Sequence, residues 1–472
     1  MDINKFKHIH FIGIKGVGMA NIARALMERG VKVTGSDVEG EFITDEIIEK
    51  AGIKPILYKD YKEYQQYDFG NPDYVVITGA HGGMTNPEAV AAKLAGLKTI
   101  MYGEFLGKLM NEYKIPISVA GCHGKTTTAS IIAHLLSFAN TEPSFIVGTS
   151  NINSLETAGK ITDGEYFVAE ADEYKNCPYT DPTPKMMYQK PKIAVITNVE
   201  FDHPDMFRDL KDVEEVFGQF MQSVPENGMT IFNYQFLIFK QFLKSNFQTF
   251  GTDEKADWRI TKVKQGEQKM IFNLQSKGID LGEFILSVPG VHNCLNATAA
   301  IAAVANLGID MEKIRQSLPA FIGTKRRFEK IGEKNGVLFY DDYAHHPTEI
   351  KATLRAAKQW FGRKRIICIF QPHTYSRTKS LFREFANSFG DADKVIFADI
   401  FSSARETKET TVSSQLLAEE AQKYHKDALY LGEKENVLKY LVNQIKPDDV
   451  VFTMGAGDIY LWQNILLSAE IN

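Results

Sequence analysis

Residues 116–128 read PISVAGCHGKTTT, an apolar strand running into a glycine-rich loop that ends on Lys125-Thr126. The next residues, KTTTASIIAHLLSFA, carry the apolar spacing of a helix packed against a core. Strand, loop and helix in that order make one α/β unit. In such a unit the loop N–H groups and the positive end of the helix cradle phosphates. Gly121, Gly124, Lys125, Thr126 and Thr127 are therefore read as ATP-binding: the lysine reaches the outer phosphates and the Thr126 hydroxyl holds Mg²⁺. The spacing is GxxGK[ST], two residues shorter than the common GxxxxGK[ST]. An ordinary strand-to-helix turn has no need of Lys-Thr at its helix start, which favours the phosphate reading.

Composition bounds the rest. A chain of 472 residues implies two or three domains, and 44% apolar with 24% charged residues is a soluble globular balance. A net charge of −5 with no basic tract argues against a nucleic-acid surface. MDINKFKHIHFIGI enters a strand pattern without a signal-peptide cleavage site. Its apolar run falls far short of the roughly 20 residues of a membrane helix. Cys122, Cys177, Cys294 and Cys368 are scattered without a CxxC pair, so neither a disulfide framework nor a zinc site is indicated. A reduced cytoplasm is the expected compartment.

Three α/β domains are expected. Residues 1–108 open with KHIHFIGI, then Gly13, Gly16 and Gly18, a helix, and a strand ending at Asp37 about 20 residues on. That pattern suits a Rossmann-like domain holding a diphosphate, although a tight βα turn in any doubly wound sheet looks similar. Residues 109–322 form a central ATPase-type sheet, to which 258–288 add antiparallel strands. Residues 323–472 return to a regular Rossmann-like alternation, with helices beginning near Pro347, Thr378, Ser413, Asn436 and Asp458.

Strand ends carry the candidate chemistry, because open α/β sheets place ligands at the carboxyl ends of their strands. Glu170 in VAEADEY and His203 in VEFDHPD should lie near the phosphate loop, and carboxylates there suit Mg²⁺. Asp172, Glu173, Glu200 and Asp205 are read instead as solvating strand ends. His292, Asn293 and Asn296 begin an Ala-rich helix, either as caps or as adenine or phosphate contacts. In the last third, Asp342 and His345 follow a strand, His346 fits a helix-start residue, and His373, Tyr375 and Arg377 follow another strand. Two chemistries compete on this basis. One is an ATP-dependent ligase; the other is a nucleotide-dependent oxidoreductase built on the first glycine loop, with an NTPase switch as a third. The lysine-bearing loop with Glu170 and His203 favours phosphate chemistry.

GCHGKTTT, EADEY, TNVEFDH, PGVHNCLNA, TKRRFE and DDYAHHPTE occur in the order seen in the Mur ligases, which the chain resembles over essentially its whole length. The resemblance implies an ATP- and Mg²⁺-dependent amide-bond ligase acting in peptidoglycan synthesis, monomeric or homodimeric, with no nucleic-acid or membrane partner. HFIGIKGVGM, VTGSD, DDYAHHPTEI, FQPHTYSRT and MGAGDI look most like the branch joining L-alanine to the lactyl carboxylate of UDP-N-acetylmuramate. It further implies that Lys125, His203, Arg327 and His345 are catalytic. Thr126, Glu170 and His203 would hold metal. His292, Asn293, Asn296, Arg327 and Asp342 would join the phosphate loop around ATP. Gly13, Gly16, Gly18 and Asp37 would bind the UDP-sugar, and Arg377 with His373 the amino acid.

Three departures matter. Thr374 stands where many alanine-adding members carry a second arginine. The helix after the DH motif, DVEEVFGQF, offers no lysine for the carbamylation used by sister ligases, and Lys211 falls too early. EADEY and VEFDHPDMF also resemble the recycling branch that attaches an L-Ala-γ-D-Glu-diaminopimelate tripeptide, which is the runner-up. Folylpolyglutamate synthetase shares the ATP core but lacks the first glycine-loop domain.

Overall fold

The computed structural model describes residues 3–402 and 411–468. Three large sheets use strands within 8–101, 115–286 and 329–454, so the alternation expected from the sequence is the observed architecture. The first sheet is wholly parallel, in the order Ile56–Tyr58, Lys32–Val38, His8–Ile12, Tyr74–Ile77, Thr99–Met101. His8–Ile12 is central and buried along its whole length. Its two histidines are tolerated there because His8 pairs with Thr34 and His10 with Thr34 and Glu88. The strand order reverses about His8–Ile12, and residues 13–18 leave its carboxyl end at that switch point.

The second sheet explains how distant motifs meet. Ile115–Ala120 lies between Tyr166–Glu170 and Ile193–Ile196, and all three run parallel. Their carboxyl ends therefore deliver the phosphate loop, Glu170 and the 198–203 segment to one edge. Further out, Trp258–Gly266, Lys269–Ser276 and Ile279–Leu286 are antiparallel, matching the expectation for 258–288. Helix Lys125–Phe138 shares a buried core with Val291–Ala305. The Ala299, Ala300, Ala302 and Ala303 side chains in that core are small enough for close approach.

The third sheet runs Glu329–Lys334, Val337–Asp342, Val450–Met454, Ile366–Phe370, Lys394–Ala398, Ala428–Gly432. Only its first pair is antiparallel. Helix Pro347–Phe361 starts with a capping box, His346 accepting from the first-turn amides and Glu349 returning to the His346 amide. The helix expected near Thr378 begins earlier, as Tyr375–Ser380, and gives way at Leu381 to Phe382–Ala386. Among the described residues no helix is long and apolar enough to cross a membrane.

Candidate active site

The phosphate loop can take its shape only with glycine at two places. Gly121 and Gly124 have φ of 136° and 78°, and a Cβ would collide with Thr197 at the first and sit 2.6 Å from Asn296 Oδ1 at the second. The Asn198 side chain clamps the intervening His123 backbone, accepting from its N–H at 2.9 Å and donating to its carbonyl at 3.0 Å. The loop is thus built before any ligand arrives.

Two adjoining cavities open from it. The larger, about 390 Å³, is walled by all three sheets' connections: Gly18 and Tyr102 from the first, Lys125, Thr126, Glu170 and His203 from the second, Arg327 and His345 from the third. The smaller, about 140 Å³, gathers Thr127, His292, Asn293, Asn296 and Asp342. Gly124, His123, Arg327 and Glu349 line both. The residues read as an ATP set and those read as a reacting centre therefore occupy neighbouring rooms with a shared wall.

Lys125 Nζ donates to Gly121 O at 2.5 Å and to both Glu173 oxygens, at 2.8 and 3.1 Å. Burial opposes its charge, but the Glu173 and Asp172 carboxylates together hold the ammonium above its ordinary range. Glu170 Oε1 accepts from Gly148 N at 2.6 Å. Burial raises the Glu170 pKa against the backbone bond and Lys125, which lower it. His203 Nε2 lies 3.4 Å from Glu173 and its Nδ1 3.4 Å from Arg377 Nη2. The hydroxyl of Thr126, the Glu170 carboxylate and the His203 imidazole face one cavity, a donor set that fits Mg²⁺ when phosphate oxygens and water complete it.

Arg326 and Arg327 are adjacent in sequence but do different work. Arg326 is locked by Asp341 at 2.9 Å and the carbonyls of Gly455 and Gly457. Arg327 points into the shared wall, 3.6 Å from Glu349 and over the Tyr343 ring. Glu349, unremarked in the sequence, is the hub: its carboxylate reaches His345 Nδ1 at 3.1 Å and His123 Nδ1 at 3.3 Å. Burial would raise the Glu349 pKa, but His345 and His123 hold it well below the usual range. Asp342 accepts from Phe328 N and Ala344 N, each at 2.8 Å, and burial pushes its pKa up to about 6. Burial likewise lowers His292 to about 4, leaving a neutral ring at the helix start.

His123, Glu200 and His346 also bring one ligand-type atom each within 4.8 Å. Of these, His123 pairs with Glu200 at 3.6 Å and packs its ring on that of His346, with centroids 4.5 Å apart. His346 spends its Nδ1 lone pair on the Thr348 amide. Burial disfavours a charged His123, yet Glu349 and Glu200 push it up to about 10.

Several expectations need correction. Glu173 does not solvate a strand end: it is 1% exposed and pairs with Lys125. Glu200 accepts from Thr348 Oγ1 of the third domain and Asp172 pairs with Lys185, whereas Asp205 is exposed as expected while accepting from Tyr174. Arg377 turns its fork toward buried Asp202, with Nε at 2.8 Å and Nη1 on His373 O at 2.8 Å. A carboxylate buried as deeply as Asp202 needs a counter-charge, and Arg377 supplies it across the domain boundary. Of the UDP-sugar set only Gly18 lines the large cavity; Gly13, Gly16 and Asp37 build the turn behind it. Both Asp37 oxygens are used there, on Lys15 N at 2.6 Å and Val38 N at 2.7 Å. Thr374 contacts Ser376 at 3.0 Å, and Lys211 is exposed on helix Leu210–Gln222.

Comparison with known proteins finds three family domains in the order of the three sheets. Residues 8–114 match the Mur ligase family catalytic domain, 119–304 the Mur ligase middle domain, and 326–457 the Mur ligase, glutamate ligase domain. A UDP-N-acetylmuramate–L-alanine ligase of Desulfitobacterium hafniense is 40% identical over 455 residues, covering 96% of this chain and 98% of that protein. The crystal structure of UDP-N-acetylmuramate-alanine ligase from Thermotoga maritima superposes with a TM-score of 0.81 at 26% identity, covering 98% of each chain. A murein peptide ligase from Psychrobacter arcticus gives 0.70 at 25% identity, also over 98% of each chain.

Proposed function

The chain belongs to the Mur ligase family, and on that premise we propose that it joins L-alanine to the lactyl carboxylate of UDP-N-acetylmuramate, using ATP. The observation that carries this reading is the pair of adjoining cavities, one with the phosphate-loop lysine and one with the Asn/His/Asp set. The higher TM-score against the alanine ligase, 0.81, than against the murein peptide ligase, 0.70, favours single-residue addition.

A lactyl carboxylate oxygen attacks the γ-phosphorus and ADP leaves; the alanine amine then attacks the acyl carbon and phosphate departs. Lys125 neutralises charge on the transferring phosphoryl group, in a transition state that asks the protein for positioning and electrostatics. Thr126, Glu170 and His203 would hold Mg²⁺, which when bound neutralises phosphate oxygens. Thr127, His292, Asn293, Asn296 and Asp342 seat the nucleotide beside Gly121 and Gly124. Arg327 and His345, brought from the third domain, complete the wall and keep water from the acyl phosphate. Gly18, backed by the turn of Gly13, Gly16 and Asp37, faces the UDP-sugar. Arg377, backed by His373, acts on the amino acid's side of the site through Asp202 and His203, which line the large cavity. The enzyme belongs in the cytoplasm, where ATP and UDP-sugars are available.

An acceptor panel tests the reading. With UDP-N-acetylmuramate, ATP and Mg²⁺, phosphate should be released with L-alanine, and mass spectrometry should show the alanyl adduct. Release with the tripeptide alone would transfer the chain to the recycling reaction. Oxidation of NAD(P)H without phosphate release would remove the ligase reading.

A further inference from the structure

Glu173 has no place in the nucleotide or metal sets described above, yet it is buried against two of their members, Lys125 and His203. Its side chain is 1% exposed, three residues past the end of strand Tyr166–Glu170. One carboxylate bonds Lys125 Nζ through both oxygens, at 2.8 and 3.1 Å, and reaches His203 Nε2 at 3.4 Å. Lys125 is further tied to the loop's own carbonyls, Gly121 O at 2.5 Å and Cys122 O at 3.4 Å. Its amine is thus turned onto an internal anion in the space where an outer phosphate would need it. A buried carboxylate gives up such a partner only for another strong interaction.

We propose that Glu173 is a positioning residue that serves as the internal counter-ion of Lys125 and the partner of His203 until nucleotide arrives. This rests on the reading of Lys125 as a phosphate-binding lysine. In the empty site Glu173 competes with the phosphates for the ammonium, so the docked pair lowers apparent nucleotide affinity by the fraction of time Lys125 is withheld. The same contact stores Lys125 and His203 at a fixed separation. Arriving phosphate therefore meets an ordered loop. Removing the carboxylate should tighten nucleotide binding while slowing turnover, a split that simple loss of folding would not produce.

The test is calorimetric binding of a non-hydrolysable ATP analogue with Mg²⁺ to the full chain, alongside steady-state kinetics. Glu173→Gln should bind the analogue about tenfold more tightly than the wild type, because the competitor for Lys125 is gone. Its kcat should fall about tenfold, the size of effect expected when a reacting group is held less well. Glu173→Asp should restore part of kcat. In the Lys125→Ala background, Glu173→Gln should produce no gain in affinity. An unchanged or weaker affinity in Glu173→Gln, with the wild type binding normally, overturns the counter-ion role and leaves the ATP reading standing. The same gain in the absence of Lys125 also overturns it. A wild-type chain that binds no nucleotide removes the reading on which it rests.

Discussion

Lys125→Ala will release phosphate about 10²–10³-fold more slowly than the wild type under saturating ATP, the loss seen when one preorganised donor to a transition state is removed. The side chain is the only ammonium that the loop itself presents to its own phosphate cradle, and the loop backbone keeps other ties when the bonds from Nζ to Gly121 O and Cys122 O are lost. Asn198 holds His123, while Thr128 N donates to Gly124 O at 3.0 Å. The variant leaves Glu173 with His203 as its remaining partner and loses some stability, but it should keep its affinity for UDP-N-acetylmuramate while losing turnover. Phosphate release is the measurement, with sugar-nucleotide binding as the control. Full activity in Lys125→Ala would remove the central reading of the loop.

Arg377→Ala is expected to be the most damaging substitution outside the phosphate loop. It strips the counter-charge from Asp202, which is 3% exposed, and breaking a buried pair in this way costs about 3–5 kcal/mol. Because Asp202 belongs to the central domain and Arg377 to the third, the loss falls on their apposition. His203 sits between them, its amide donating to Asp202 Oδ1 at 2.7 Å. Turnover should fall about 10²-fold, as expected when reacting groups are misplaced by an ångström. Adding Asp202→Asn to Arg377→Ala removes the orphaned charge and should recover a large part of the stability. Thermal unfolding of the four members of this cycle checks it, since groups in direct contact must couple. Additive effects would show that the ion pair does not tie the domains.

Much of this site was legible because the chemistry sits at strand ends. PISVAGCHGKTTT, VAEADEY and VEFDH each close a parallel strand, and pairing of Ile115–Ala120 with both neighbours converts three separate sequence signals into one edge. The capping role read for His346 also survives. What stayed hidden was pairing at long range. Glu173 looks like a solvated strand end because its partner is 48 residues away, and Arg377 looks free because Asp202 is 175 residues away. Burial of both acids depends on surfaces that only folding brings over them. Nothing in the doublet Arg326-Arg327 says which guanidinium is locked to Asp341 and which faces the cavity. Glu349 did carry a signal, HHPTE as a capping box, but a cap explains only one of its oxygens.

The central claim is that the lactyl carboxylate becomes an acyl phosphate, and an isotope measures it most directly. With both carboxylate oxygens of UDP-N-acetylmuramate enriched in ¹⁸O, the acyl phosphate must break its acyl C–O bond when the alanine amine attacks. Mass spectrometry of the inorganic phosphate should then find one ¹⁸O per alanyl product formed. Phosphate released without ¹⁸O, alongside normal product, would contradict the account.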